Sequence, residues 1–381
     1  MANLILKGNT SGEVTIQAPA VAGTTTLTLP ATSSTLATQN SLGVRNLIIN
    51  GDMRIDQRNG GASLTINADS LYTLDRWKTR SAGGTSKFSV QQSSTAPNDF
   101  SYSALATSLA TTTVGSGDVY CYEYKLEGLN VAHLKWGTAN AKTVTLSFWV
   151  RSSLTGTFSG ALKNENSNRS YPFSYTISSA NTWEQKSITI SGDTTGTWLI
   201  TNVTGIRLYF SLGIGSTYQG TAGAWAASNL FGATGEISLV GTSGATLYIT
   251  GVQLEVGDTA TPFEHRPYDM ELQRCMRYFQ HIGKYGGEAQ VGGFRTSTET
   301  QWVVNYYNTM RSAPTITLNG LSSHDLNDGD NLTLSSLGLV INAGLNSSWL
   351  SATNSGTGTV NGVAIVYPTG TPKGLYLSAE L

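Results

Sequence analysis

The chain has 381 residues, a net charge of −1 and only 12% charged side chains, about half the roughly 25% of an ordinary globular domain. With no basic block and no Arg-rich helix, that balance argues against nucleic acid as a partner, and no apolar run has the length of a membrane span. Glycine numbers 42 and aromatics make up 9%. Disorder goes with few aromatics and high net charge, so the composition reads as a Thr/Ser/Gly-rich all-β protein.

The opening residues, MANLILKGNTSGEVT, lack the charged-then-apolar pattern of a secretory leader, so assembly in a cytoplasm is expected. Residues 1–45 form a segment of their own. Val14 and Ile16, then Leu27 and Leu29, alternate with Thr-rich neighbours, and Pro19 and Pro30 interrupt them. This predicts short β pieces with too few apolar residues for a private core. Such a segment is expected to dock on copies of itself or on a larger assembly.

Residues 46–266 read as one large β domain. In TVTLSFWV, Val144, Leu146, Phe148 and Val150 share one face, and Thr143, Thr145, Ser147 and Trp149 take the other. SITI and GIRLYFSL repeat the alternation at Ile188 and Ile190 and at Ile206, Leu208, Phe210 and Leu212. In ATLYITGVQLEV, Leu247 and Ile249 are out of phase with Val252, Leu254 and Val256; a β-bulge at Gly251 restores one buried face. Many strands with turn signals between them predict a jelly-roll β-sandwich.

After Pro267, the spacing of Tyr268, Leu272, Cys275, Met276 and Phe279 predicts one helix face over 267–283. Pro267 suits the first helical position, Asp269 and Glu271 the first turn, Arg274 and Arg277 the end, and Gly283 the stop. This is read as a surface helix linking two domains. Residues 284–381 return to β pattern and predict a smaller C-terminal β-sandwich, with turns near Pro314 and Gly329.

Chemical motifs are scarce. Cys121 and Cys275 match no zinc or redox spacing and read as ordinary thiols, and the 4 histidines show no H-E-x-x-H pattern. GTSGA (241–245) lacks the second glycine of a nucleophile elbow. GTGTVNG (356–362) misses the dinucleotide fingerprint. DLNDGDN (325–331) is a loose calcium-loop match without a closing Glu. No metal, no cofactor and no catalytic residue are therefore expected, and the protein reads as a non-enzyme. The stretch 213–235 reads as a long loop carrying Tyr218, Trp225 and Phe231. These three are the candidate glycan-binding residues by ring stacking, the alternative being aromatics that pin the loop to the sandwich or to a neighbouring subunit. Asp75, Arg76 and Trp77 (LDRW) read as a brace at the start of the sandwich, the alternative being a ligand-binding role. Of the adjacent Tyr306 and Tyr307, only one can face inward from a strand.

Four stretches resemble bacteriophage tail-fibre and related virion appendage proteins with a carbohydrate-binding-module-like jelly roll. VTIQAPAVAGTTTLTLPATSSTLAT (14–38) is similar to their N-terminal lead-in. NLIINGDMRIDQR (46–58) with LDRW (74–77) is similar to the start of the jelly roll. GVQLEVGDTATPFEHRPYDMELQRCMRYFQ (251–280) is similar to its end and the helix beyond, and TMRSAPTIT (309–317) to the C-terminal domain. The resemblance implies a homotrimeric virion protein, assembled in the host cytoplasm, with residues 1–45 attached to other phage tail or capsid proteins and the β domains outward. Three-fold packing would supply the core that residues 1–45 lack. The expected function is a tail fibre binding host surface polysaccharide without catalysis. The alternatives are a head fibre, capsid decoration or adaptor, and a polysaccharide depolymerase, which needs two carboxylates roughly 5–10 Å apart.

Overall fold

The computed structural model describes residues 3–7, 13–17, 45–283, 290–319, 321–325, 331–358, 363–368 and 374–381. The chain divides into two compact units, Met1–Gly43 and Val44–Leu381. In the first, Asn3–Lys7 (β1) and Glu13–Gln17 (β2) pair as an antiparallel hairpin, with Asn3 opposite Gln17 and Lys7 opposite Glu13. The expected pieces around Leu27 and Leu29 lie outside the described residues.

The second unit begins with the jelly roll. Its strands are β3 (Leu64–Thr65), β4 (Trp77–Ala82), β5 (Phe88–Ser93), β6 (Ser103–Ser108), β7 (Val119–Glu127), β8 (Val144–Ser152), β9 (Gly156–Asn164), β10 (Ser170–Ile177), β11 (Glu184–Ile190), β12 (Thr204–Ile214), a two-residue parallel pair β13 (Gln219–Gly220) and β14 (Gly232–Ala233), and β15 (Thr246–Val256). One sheet has the order β10-β9-β12-β7-β4 and the other β11-β8-β15-β6-β5-β3, each antiparallel throughout. The core between them takes the alternate residues: Tyr120, Tyr122, Tyr124 and Leu126 of β7, Ile206, Leu208, Phe210 and Leu212 of β12, and Val144, Leu146, Phe148 and Val150 of β8. The bulge at Gly251 is present. The pairing of β15 with β8 shifts between Thr250 and Gln253, Gly251 has φ +60°, and Leu247, Ile249, Val252 and Leu254 all reach the core.

The NLIINGD segment forms no regular strand, yet it is buried and densely bonded. Asn46 Oδ1 accepts from the backbone N–H of Ile48 (2.9 Å) and Leu254 (3.1 Å), and its amide donates to Val252 O (3.0 Å). Asn50, at φ +57°, donates to Ile55 O and Asp75 O and accepts from Ile55 N–H. Asparagine tolerates the left-handed region and bonds neighbouring backbone, which is what this corner demands.

The helix is shorter than the apolar spacing predicts. A single turn at Gly128–Val131 (α1) comes first, and the expected helix (α2) covers Tyr268–Met276. Pro267 is its N-cap residue rather than its first helical one, and Gly283 follows a strand, Phe279–Ile282 (β16). Tyr278 and Phe279 are both buried. Extended chain buries neighbours on opposite sides, whereas one helix face takes only one of the pair. The acidic first turn (Asp269, Glu271) and the basic last turn (Arg274) are present as expected, but part of the charge of this stretch is buried. Arg266 and Glu271 are 6% and 3% exposed and pair at 3.1 Å, and Glu271 also accepts from the Asn50 N–H. Arg277 and Tyr278 both donate to Glu127 of β7, at 2.8 and 2.5 Å.

The C-terminal β region comprises β17 (Gln290–Thr296), β18 (Glu299–Asn305), β19 (Thr315–Asn319), β20 (Leu321–Asp325), β21 (Asn331–Ala343), β22 (Ser347–Asn354), β23 (Val363–Pro368) and β24 (Gly374–Ser378). It holds a three-stranded sheet, β16-β24-β19, and a barrel closed in the order β17-β18-β22-β21-β20-β23. The two share a core that includes Ile282, Trp302, Val304, Leu350, Val366, Leu375 and Leu377. The protein is thus all-β, with a large jelly-roll sandwich, a short helix and a smaller C-terminal β layer system.

Candidate functional site

Strand alternation fixes the floor of a broad groove on the six-stranded sheet. Burying Leu146, Phe148 and Val150 turns Ser147 and Trp149 outward on the six-stranded sheet. Register then assembles two polar rows across three strands. Gln185 and Thr250 lie opposite Trp149, and Ser187 and Gln253 lie opposite Ser147. The groove has a volume of about 860 Å³.

Two loops build its wall. The turn between β5 and β6 brings Asp99 and Phe100, with the Phe100 N–H donating to Pro97 O at 2.9 Å. The segment after β15 brings Ala260, Thr261, Pro262, Phe263 and His265. The rings of Phe100, Phe263 and His265 form a triangle with centroid separations of 5.0–5.2 Å. The outward-facing Gln253 and Glu255 hold this segment in place. Glu255 accepts from the Thr261 N–H (2.8 Å) and hydroxyl (2.6 Å), and Gln253 accepts from the Glu264 N–H (2.9 Å). Arg45 donates to the Thr261 hydroxyl at 2.8 Å. Gly251 lets floor and wall meet: a Cβ there would lie 2.6 Å from Phe100 Cζ and 3.0 Å from Trp149 Cδ1.

The groove therefore offers a half-buried indole, an aromatic wall, and amide and hydroxyl groups. Its charges are few. Lys186 is engaged by Glu184 at 2.6 Å, and Asp99 is the one carboxylate among the lining residues. Apolar ring faces beside neutral polar side chains suit a ligand with C–H faces and hydroxyl edges.

The aromatics singled out in the 213–235 loop lie elsewhere, Tyr218 and Phe231 over the outer face of the five-stranded sheet and Trp225 against the main sandwich core. Phe231 is 3% exposed. It packs in a cluster with Val119, Cys121, Tyr209 and Ile214, its ring 4.8 Å from that of Tyr209. Tyr218 rests on Phe231 at 5.5 Å. Trp225 joins a different cluster. Its ring lies 5.2–5.4 Å from those of Tyr171, Trp136 and Trp198, and its N–H donates to Ser191 O at 2.8 Å. These contacts pack the three side chains against the sandwich; Phe231 is buried, and Tyr218 and Trp225 are part exposed. Sequence reasoning missed Trp149. The available signal was a bulky aromatic in the outward phase of a strand whose other outward residues are Thr and Ser.

The LDRW residues brace the start of the sandwich. Asp75 is fully buried and accepts from the Gln57 backbone N–H at 3.0 Å and from its side-chain amide at 2.5 Å. Burial outweighs the nearby Arg58 and these bonds, raising its pKa to about 6. The Trp77 N–H donates to Asn50 O at 3.0 Å. Both cysteines are buried free thiols. Most of the DLNDGDN stretch lies outside the described residues.

No known family and no curated protein matches the sequence. Among solved structures, the chain is similar to the enzymatically active domain of tailspike protein 4 of bacteriophage CBA120, with 14% identity, a TM-score of 0.30, and coverage of 56% of this chain and 21% of that one. It is similar to the CBM22-2 xylan-binding domain of Xyn10C from Paenibacillus barcinonensis, with 16% identity, a TM-score of 0.28, and coverage of 48% and 92%. It is also similar to the family 11 carbohydrate-binding module of the cellulase Lic26A-Cel5E of Clostridium thermocellum, with 15% identity, a TM-score of 0.26, and coverage of 54% and 99%. This chain spans about a fifth of the length of the tailspike domain. Scores of this size leave the site to be argued from its own residues.

Proposed function

We propose that this protein is a non-catalytic, glycan-binding component of a bacteriophage particle, a tail fibre whose jelly roll takes host surface polysaccharide into the Trp149 groove. The observation that carries the reading is the groove itself. One outward indole, three further rings and a set of neutral amides and hydroxyls converge on an open trough of oligosaccharide size. A single lining carboxylate, Asp99, supports binding over hydrolysis, since glycosidic cleavage uses two. The phage assignment rests on the four sequence stretches and on an N-terminal segment too poor in apolar residues to bury a core of its own. In a homotrimer, three weak sites would add through effective concentration.

The test is binding of the full chain to a bacterial glycan array and to whole cells, with Trp149→Ala beside the wild type. Stacking at the floor makes Trp149 the dominant contact, so the variant is expected to lose at least about tenfold in affinity, ~1.4 kcal/mol. A wild-type protein that binds no envelope polysaccharide, or a variant that binds equally well, overturns the reading.

A further inference from the structure

Lys163 lies on the outer face of the five-stranded sheet and is 0% exposed. Buried ammonium groups are ordinarily paired with a carboxylate. Among the described residues Lys163 enters no ion pair, whereas Arg207, its cross-strand partner on β12, reaches both Glu165 and Glu123. Its amine instead meets the side-chain carbonyl oxygen of Asn229. The ring of Phe231 covers it at 3.6 Å, and that of Tyr209 lies 5.4 Å away.

Asn229 is aimed at this amine by the chain on either side of it. Ser170 is the cross-strand partner of Lys163 and is fully buried on the same sheet face. Its hydroxyl donates to Ser228 O at 2.6 Å and accepts from the Leu230 N–H at 3.2 Å. Its backbone exchanges two further bonds with Ala226, at 3.0 and 2.8 Å. The residue between Ser228 and Leu230 is thus clamped with its carboxamide on Lys163, although the residue as a whole is exposed. A carboxamide held on a buried amine beneath aromatic rings is a pre-aligned pair of reactants, which is where proximity lowers barriers most.

We infer that Lys163 and Asn229 join in an intramolecular isopeptide cross-link. The neutral Nζ attacks Cγ of Asn229, the Nζ–Cγ bond forms, and the Cγ–Nδ2 bond breaks. A proton from Nζ passes to Nδ2, which leaves as ammonia. Nothing is oxidised or reduced and no co-reactant is consumed. Burial first, then the positive charges of Arg207 and Arg80, push the Lys163 pKa down to about 7, against smaller opposing effects from Cys121 and Glu123. A large share of the amine is therefore unprotonated near neutral pH. The exposed position of Asn229 gives the ammonia a way out. The product ties the 215–237 loop covalently to β9 across 66 positions of sequence.

The experiment is the intact mass of the purified full chain, denatured and reduced, followed by peptide mapping. The expected wild-type mass is one ammonia below that of the sequence, with a branched peptide joining the Lys163 and Asn229 segments. Lys163→Arg and Asn229→Ala are expected at their full sequence masses. A wild type at full mass overturns the inference. An ammonia loss that persists in Lys163→Arg is an asparagine cyclised on itself and overturns it as well. The wild-type measurement stands even where a variant fails to fold.

Discussion

Arg76 and Glu380 stand 304 positions apart and meet as a buried ion pair, their side chains 1% and 3% exposed. Arg58 reaches the same carboxylate at 3.0 Å, and the second arm of Arg76 donates to Lys125 O at 2.6 Å. The Arg76 guanidinium lies 3.6 Å over the ring of Tyr278. One residue on, the Leu381 carbonyl oxygen accepts from the Tyr72 hydroxyl at 2.7 Å and from the Lys125 amine at 2.9 Å. Glu380 and Leu381 thus fix the C-terminal β region to the jelly roll through the segment that precedes β4 and through Lys125 of β7.

Removing one partner of this pair leaves a charge buried without compensation, which costs roughly 3–5 kcal/mol. Glu380→Ala is expected to lower unfolding stability in urea by that amount. The exposed pair Arg295–Glu299 supplies the contrast. Arg295 has a side chain 60% exposed, so Arg295→Ala is expected to change stability by no more than about 1 kcal/mol. Equal losses in the two variants would show that the C-terminal clamp does not behave as a buried pair.

How much of this was legible follows from which signals are local. Strand alternation located Leu146, Phe148, Leu208 and Phe210 in the core, and the phase slip at Gly251 located a bulge. Both rest on a two-residue period that sequence displays directly. The brace role of Asp75 and Arg76 was readable as a type, but not the partner of Arg76, because no spacing rule links residue 76 to residue 380. The placement of charge along α2 is legible, but the partners of Glu271 are not, for the same reason. Glu271 looks like a first-turn acid on a surface helix until the fold brings Arg266 and Asn50 onto it. Trp149 was assigned outward, but the wall against which it works arrives from residues 99–100 and 260–265.

Trp225 separates the loop's aromatic anchor from the ligand site. Trp225→Ala removes ring contacts with Tyr171, Trp136 and Trp198 and an N–H bond to Ser191. For a half-buried indole this is expected to cost about 2 kcal/mol. Trp225 does not line the Trp149 groove, so glycan affinity per folded molecule is expected to be unchanged. Loss of binding at full folding, measured by titration beside circular dichroism, would return the site to the 213–235 loop.

Glu236 supplies a pH signature. Burial raises its pKa from 4.5 to about 7, against hydrogen bonds from the Ser159 and Ser211 hydroxyls and the Ile214 N–H that favour the anion. The folded chain keeps this proton where the unfolded chain has released it. Its contribution to stability is therefore complete below about pH 4.5 and is lost as pH rises toward about 7. The loss is at most about 3 kcal/mol. Glu236→Gln cannot titrate, so the wild-type-minus-variant stability difference from urea unfolding is expected to fall across this window. A difference that stays flat, or rises with pH, contradicts the assignment.

Gly251 carries two separable demands, one on the backbone and one on space. Its φ of +60° penalises any L side chain, by roughly 1–2 kcal/mol. A Cβ would also lie 2.6 Å from Phe100 Cζ and 3.0 Å from Trp149 Cδ1, so the ring wall must retreat from the groove floor. Gly244 isolates the first demand, with φ +77° and nothing within 4 Å of an added Cβ. Gly244→Ala and Gly251→Ala are both expected to lose about 1 kcal/mol or more in urea unfolding. Only Gly251→Ala is expected also to lose glycan affinity, because only there does the added methyl displace Phe100 from Trp149. If the two variants bind alike, the placement of Phe100 and Trp149 around Gly251 does not shape the ligand site.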